Sequence, residues 1–584
     1  MDIAALPLAG ADAPLQSLVA RANELHRANA LADAERCCHE VLELAPTQPD
    51  ALGILYQICR STDRPVAAEV LLRRMVNFHP NTFWATNDLI LLLLDKGAVL
   101  EAEIHARNAV RIAPENPQSH NLMGMVMTEA NRPQVGEYHY LRAIELSGTR
   151  DPILLANLAW NLKNQGKMAE SRRLYQESTA ARPDVVQTLL GWARMEEADR
   201  NFDRAGELLD QATLAAPDDP GLLLTRAVLH GRTGSYADAL AVLDRAAQLR
   251  DRGLGPNELL EQGRLLDRLG RYDEAFAAFT EGKRQCREVA GLAYRGEQAQ
   301  ELAARLRGFF TEGRLRLLPR ATVRQDIAQP IFILGFPRSG TTLVEQTLSA
   351  HSRIVAGDEL PFINEITEAI PRSLNSPLAY PEALAELWMG DRRYGLDELR
   401  DDYLERVRHL GILKSGTAWF TDKMPLNEMH LGFIALLFPQ APLIHVVRHP
   451  LDVLLSTFSN NLTHGFYCAY SLESIAAHYL LTMELVEHYR SEMMLHYLAI
   501  RYEDLVDEQE QSVRRMLRFI GEPFDPQCLN FHENRRYART ASYAQVAEPL
   551  YDTSRYRYRH YRHQLEPIIS ILEPIIRRLG YCID

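Results

Sequence analysis

Two textures of hydrophobic patterning divide the chain. Up to about residue 288, apolar positions recur at helical spacing in short stretches. The stretches come in pairs that end at Pro46, Pro80, Pro114, Gly148, Pro183, Pro217 and Asp251, 34 or 35 residues apart. Two amphipathic helices per unit are predicted. The first is rich in Ala, Leu and Gly, as in Ala51-Leu52-Gly53 or Leu190-Gly191-Trp192-Ala193, and the second ends in sequences such as LELAP, VRIAP or TLAAP. Proline lacks the N–H that would continue a helix, so each second helix stops there. From about residue 289 to 327 a charged helical segment has no repeat signature and is expected to join two halves. After Pro330, apolar runs of strand length at Ile331–Leu334, Leu443–Val447 and Leu498–Tyr502 alternate with longer helical stretches. This alternation predicts a parallel α/β sheet, whose ligands sit beyond the carboxyl ends of the strands.

The 34-residue period, with small residues where paired helices must approach closely, resembles the tetratricopeptide family over residues 15–288. The resemblance implies an all-α solenoid with a concave groove for peptides or proteins. A plain scaffold and an acceptor-docking arm both fit such a groove. The expected division is a flexible N-terminus at 1–14, a repeat array at 15–288, a helical linker at 289–327 and an α/β domain at 328–584.

Composition narrows the classes. With 584 residues the chain exceeds what one hydrophobic core serves, and 46% hydrophobic against 24% charged residues is the balance of a folded protein. A net charge of −13 argues against general nucleic-acid binding. No stretch approaches the ~18 continuous apolar residues that span a bilayer, and MDIAALPLAGADAP lacks the basic start of a leader, so a cytoplasmic location is expected. The seven cysteines are scattered without a CxxC pair and are read as reduced, with no metal site expected.

Candidate chemistry begins at IFILGFPRSGTTLVEQTL, a strand, a turn from Gly335 to Gly340 and a helix opening at Thr341 or Thr342. Glycine-freed amides at a helix N-terminus suit an anion. A nucleotide triphosphatase would carry a lysine where Thr341 stands; here Arg338 lies inside the loop instead. That favours a nucleotide with a single 5′-phosphate bearing the transferred group over a nucleotide kinase, although strand, glycine turn and helix also occur in α/β loops that bind nothing.

PRSGTT, followed 21 residues after Arg338 by Glu359 in AGDEL, resembles the sulfotransferases that use 3′-phosphoadenosine-5′-phosphosulfate (PAPS), the protein-tyrosine sulfotransferases above all, over residues 328–584. The resemblance implies that Arg338, Ser339, Gly340, Thr341 and Thr342 hold the 5′-phosphosulfate and that Glu359 is the general base. It implies a 3′-phosphate site at Arg448 and, eight residues on, Ser456; a simple Arg448–Asp452 pair fits the same segment. It implies that Lys423 bridges to the transferred sulfonate, that Tyr502 and Ser542 touch the nucleotide, and that Arg557, with Arg555 and Arg559 as its alternatives, lies near the 5′-phosphosulfate. A solvated basic face is the other account of that run, and a surface carboxylate at a helix start is the other account of Glu359; His351 and His430 are then the candidate bases. Asn460 stands where the tyrosine enzymes have a further arginine, which implies a looser nucleotide grip.

The expectation is therefore a PAPS-dependent sulfotransferase with adenosine 3′,5′-bisphosphate as its product. Its acceptor is expected to be a protein tyrosine selected by the repeat array, and a homodimer is conceivable. The alternatives are the same chemistry on a glycan, lipid or small molecule, and a nucleotide-binding repeat scaffold without turnover.

Overall fold

The structure is a computed structural model that describes residues 12–251, 253–291, 293–388, 392, 394–462, 466–533 and 554–583. The chain divides into two units, residues 1–183 and 184–584. In the first, antiparallel helix pairs follow one another from Asp12–Arg27 with Leu31–Leu44 to Pro152–Asn164 with Met168–Ala181. Second helices end at Leu44, Phe78 and Ile112, two residues before Pro46, Pro80 and Pro114. First helices open on Pro49, Pro117 and Pro152, whose missing N–H would be unpaired there anyway. Gln48, Asn116 and Asp151 cap them by accepting backbone N–H bonds.

The period is fixed by close approach. Ala34, Ala68, Ala102, Gly136 and Ser171 recur near the start of successive second helices and are buried. At Gly124 an added Cβ would lie 2.8 Å from the Tyr140 ring. A larger side chain at such a position would force the two helices apart.

The second unit continues the repeat with Val186–Ala198 and Phe202–Ala215, Pro220–Arg232 and Tyr236–Gln248, and Pro256–Arg268 and Tyr272–Ala290. It then forms a sheet of β1 (Gln329–Leu334), β2 (Ile354–Val355), β3 (Trp419–Asp422), β4 (Leu443–Val447) and β5 (Tyr497–Arg501). The order is β2-β3-β1-β4-β5 with every neighbouring pair parallel. The expected strands are β1, β4 and β5; Tyr502, read as the end of a strand, opens the helix Tyr502–Asp507 instead. β2 and β3 escaped the reading because two and four residues are too short to show an apolar run.

Alternate residues of β1 serve opposite faces, as a pleat requires. Phe332 and Leu334 enter one core, with helices Gly296–Phe309, Gly395–His409 and Leu472–Glu492 around it; Ile331 and Ile333 enter another beneath Thr341–Leu348 and Gln509–Ile520. Ala303, Leu306, Phe309 and Phe310, from the segment expected to be a linker, are buried in the first of these cores. That segment is thus part of the α/β fold. A third core has no regard for the expected boundary at residue 288. Leu260, Leu266, Phe279 and Cys286 of the last repeat pack with Phe336, Leu451, Phe458, Tyr561 and Leu565. All seven cysteines are free. No helix among the described residues is long and apolar enough to cross a membrane.

The shared core makes a testable demand at Gly263, where any Cβ would run into the ring of the fully buried Phe279. Gly263→Ala is expected to lose about 1–3 kcal/mol of stability by overpacking. In thermal unfolding it should destabilise the α/β domain together with the last repeat, whereas separate domains would lose only the repeat.

Candidate active site

Chain order reverses between β1 and β4: the connection leaving β1 runs to β2 on one side, and that leaving β4 runs to β5 on the other. A crevice opens at such a point, beyond the carboxyl ends of the strands. Both sequence-predicted phosphate segments lead into it. After β1 the turn needs conformations that glycine adopts freely. Gly335 has φ +144° and Gly340 φ +106°, and a Cβ on Gly340 would lie 2.6 Å from the Tyr502 ring. Arg338 itself sits at φ +74°, in the left-handed region that side chains avoid, so its backbone is held there by its surroundings.

The held geometry is a meeting of two segments about a hundred residues apart. Arg338 donates from Nε to Ser456 Oγ at 3.1 Å, and Arg448 donates from Nη1 to the Arg338 carbonyl at 3.1 Å. A second Arg448 nitrogen bonds the Ser554 carbonyl, and its guanidinium lies 4.8 Å from the centre of the Tyr502 ring. Ser456 is carried on the helix Pro450–Phe458, whose first turn is set by Pro450 and capped by His449. The alternative of a plain Arg448–Asp452 pair is loose, at 3.9 Å. Asp452 spends its two oxygens on the backbone N–H groups of Tyr556 (2.6 Å) and Tyr558 (2.8 Å). Among the buried polar atoms of the described residues that have no partner are Ser339 Oγ and Arg448 Nε. An unpaired buried donor is costly. Both are donors, and both belong to residues expected to hold phosphate, so the pocket's chemistry fits an anion. Thr341 and Thr342, buried at the helix start, complete the cradle.

On the other flank of β1, Lys423 follows the end of β3, fully buried, and donates to Glu359 Oε1 at 2.6 Å. Burial works to lower the lysine's pKa, but Glu359, with Glu345 and Asp358 behind it, outweighs burial and holds the ammonium above its ordinary value. The Glu359 loop is fastened by a residue that sequence reasoning missed. Glu345, fully buried in the helix Thr341–Leu348, accepts from Thr421 Oγ1 (2.7 Å) and from the Asp358 N–H (3.1 Å). Thr421 Oγ1 in turn accepts the Gly357 N–H at 3.1 Å. One carboxylate thereby ties the helix Thr341–Leu348 to the loop that presents Glu359. A mid-helix glutamate carries no motif, and only its burial marks it. Beside Lys423, burial raises the Asp422 carboxyl to about 7, against the opposing hydrogen bonds of Tyr403 (2.6 Å) and Asn427 (3.3 Å).

Other expected residues have these partners. Arg557 donates to Asp267 of the last repeat at 3.0 Å, Arg555 pairs with Asp507, and Arg559 stacks over Tyr556. Ser542 lies outside the described residues. His351 bonds the Pro523 carbonyl at 3.2 Å, beside the start of β2 and so at the opposite end of the sheet from the crevice. His430 is buried against the Tyr380 hydroxyl at 3.3 Å, and burial lowers its pKa to about 4. Glu359 is therefore the candidate base that the fold places beside Lys423.

Residues 330–526 match the Sulfotransferase family, and residues 157–221 and 224–288 match the Tetratricopeptide repeat family. Among curated proteins, an "Uncharacterized protein" of Aquifex aeolicus (strain VF5) is 32% identical over 325 residues, covering 54% of this chain and 41% of that one. Protein-tyrosine sulfotransferase 1 of Danio rerio is 28% identical over 205 residues, covering 35% of this chain and 56% of that one. Protein-tyrosine sulfotransferase 2 of Gallus gallus is 25% identical over 206 residues, with 35% and 54% covered. The chain thus spans about half the length of the curated relatives it matches. The β1 and β4 loops thus lie within residues that match the Sulfotransferase family, and the helix pairs before them within residues that match the Tetratricopeptide repeat.

Proposed function

We propose that this domain transfers the sulfonate of PAPS to the hydroxyl of a protein tyrosine that the repeat array helps select. The observation that carries the donor reading is the Arg338–Ser456–Arg448 cluster, with Ser339 Oγ and Arg448 Nε left buried and unpaired. Two guanidinium groups on one crevice suit a ligand with two separate phosphates. The loop without a lysine at Thr341 speaks against a triphosphate. The tyrosine acceptor is supported by the names of the relatives and by a repeat architecture of the kind that binds peptides.

In this mechanism the acceptor oxygen attacks sulfur while the bond from sulfur to the 5′-phosphate oxygen breaks, leaving adenosine 3′,5′-bisphosphate. Arg338 and Lys423 neutralise charge collecting on the leaving oxygen, as cationic clamps do in phosphoryl transfer. Glu359 takes the acceptor proton. A phenol or alcohol loses its proton late, so the carboxylate need only reach the hydroxyl by a hydrogen bond. The Lys423–Glu359 contact adds an ordering. While the lysine is bonded to Glu359 the carboxylate is a poor base; an arriving phosphosulfate competes for the ammonium and frees it.

Calorimetric titration with adenosine 3′,5′-bisphosphate, run beside ATP with magnesium, tests the donor. Tight bisphosphate binding is expected, far weaker ATP binding, and loss of roughly a hundredfold in affinity in Arg448→Ala, since a charged hydrogen-bonding partner contributes ~1.5–3 kcal/mol. Absence of bisphosphate binding would sink the donor assignment. For the chemistry, Glu359→Gln should lower kcat by about a hundredfold or more, within the span of general-base catalysis, while the bisphosphate Kd stays near wild type; near-normal turnover would remove Glu359 from the base role. Transfer of labelled sulfonate to tyrosine peptides, glycans, lipids and simple phenols then separates the acceptor classes.

A further inference from the structure

The helix Tyr272–Ala290 of the last repeat drives Lys283 into the α/β domain, where it is 2% exposed. Its ammonium donates to the carbonyl of Asn460 at 2.5 Å and reaches that of Thr457 at 3.4 Å. Among the described residues no carboxylate lies within ion-pair distance of it. Burying a lone cation is expensive, and a methionine of similar size would fill the space at far lower cost. What the cation faces explains its presence. Thr457 and Asn460 stand at the C-terminal end of the helix Pro450–Phe458, where carbonyls lack partners and the dipole is negative. The same turn continues to the phosphate grip: Asn460 Nδ2 donates to the Ser456 carbonyl at 2.8 Å, and Ser456 Oγ meets Arg338.

Lys283 is one of several ties. Asn257 accepts from Asn461 Nδ2 at 3.1 Å. Asp267 takes both Arg557 (3.0 Å) and the Tyr561 hydroxyl (2.5 Å), and Tyr272 stacks on His560 with ring centres 4.3 Å apart. The segment so held includes Ser554, whose carbonyl is bonded to Arg448. Both walls of the Arg338–Ser456–Arg448 cluster are therefore braced by the last repeat.

We infer that Lys283 is a positioning residue for donor binding, which makes the last tetratricopeptide repeat a working part of the sulfotransferase site. The inference rests on the donor reading above. Lys283 fixes the turn that carries Ser456 and adds a positive charge behind the anion. A ligand that shifts the last repeat must then alter donor affinity, and donor binding must alter that ligand's affinity equally.

A pH signature separates this role from plain packing. Burial lowers the Lys283 pKa to about 8. The titratable groups around it are Cys286 on its own helix and Cys468 on the turn Tyr467–Tyr470, with Tyr470 beside Cys286. Burial raises all three, Cys468 and Tyr470 to about 12, so they stay neutral while Lys283 titrates. From the helix Pro450–Phe458 and the turn after it, the carbonyls of Thr457 and Asn460 accept from Lys283. The lysine is charged below its pKa and neutral above it, so donor binding should be strong at about pH 7 and weaken as pH rises towards about 9.

The test is the bisphosphate Kd of the full chain across that range, for wild type, Lys283→Met and Lys283→Arg. Wild-type affinity is expected to fall severalfold with rising pH. Lys283→Met should bind roughly tenfold more weakly throughout, with no step, as for loss of a charge at a helix end. Lys283→Arg, charged at every pH, should keep the affinity and lose the step. If Lys283→Met fails to fold, the wild type and Lys283→Arg decide alone. A pH step of equal size in wild type and Lys283→Arg, or wild-type affinity in a folded Lys283→Met, would overturn the proposal while leaving the donor reading intact. Failure of the wild type to bind bisphosphate would overturn both.

Discussion

Two like charges are brought together at the centre of the sheet. Arg338, in a left-handed conformation at the end of β1, and Arg448, at the end of β4, share a hydrogen bond through the Arg338 carbonyl. Arg448 is buried, and a buried guanidinium lacks the water that would solvate it elsewhere. Much of the surrounding structure serves that one arrangement. Gly335 and Gly340 permit the turn, Tyr502 stacks beneath Arg448, and Asp452 fixes the backbone of the segment whose Ser554 carbonyl takes the remaining arm.

The acid–base side of the site is built by a different device. Lys423 and Glu359 arrive from separate loops, and Glu345 reaches from the helix Thr341–Leu348 to hold the Glu359 loop against β3. The loop after β1 and the loop that carries Glu359 thus share one rigid support. That arrangement suits in-line transfer, in which the acceptor oxygen, sulfur and leaving oxygen must lie along a single line. It also gives the two charges a resting partner in each other, so that neither a buried ammonium nor a neighbouring carboxylate stands alone.

The last repeat extends this support beyond the α/β domain. A tetratricopeptide array is usually thought of as a separate recognition module whose repeats contact only their neighbours. Here its final helix pair enters a core with Phe336 and Leu451 and sets Lys283 behind Ser456. Arg557, expected from the family resemblance near the 5′-phosphosulfate, bonds Asp267 and so fastens the two together.

The sequence by itself determined what short-range physics controls. The helix pairs follow from 3.6-residue periodicity and from prolines that stop helices, and the anion-binding turn from glycines at the end of an apolar strand. Arg338 was legible from its turn between a strand and a helix, whereas Arg448 and Ser456 were marked by the family resemblance. Only the tertiary structure decided the contacts across long stretches of sequence. Lys423 meets Glu359 across 64 residues, Lys283 meets Asn460 across 177, and Arg557 meets Asp267 across 290. No local preference encodes such pairs. They are set by which helix faces pack into which core, and a buried Glu345 or Lys283 looks in sequence like any charged residue on a helix until packing shows what covers it.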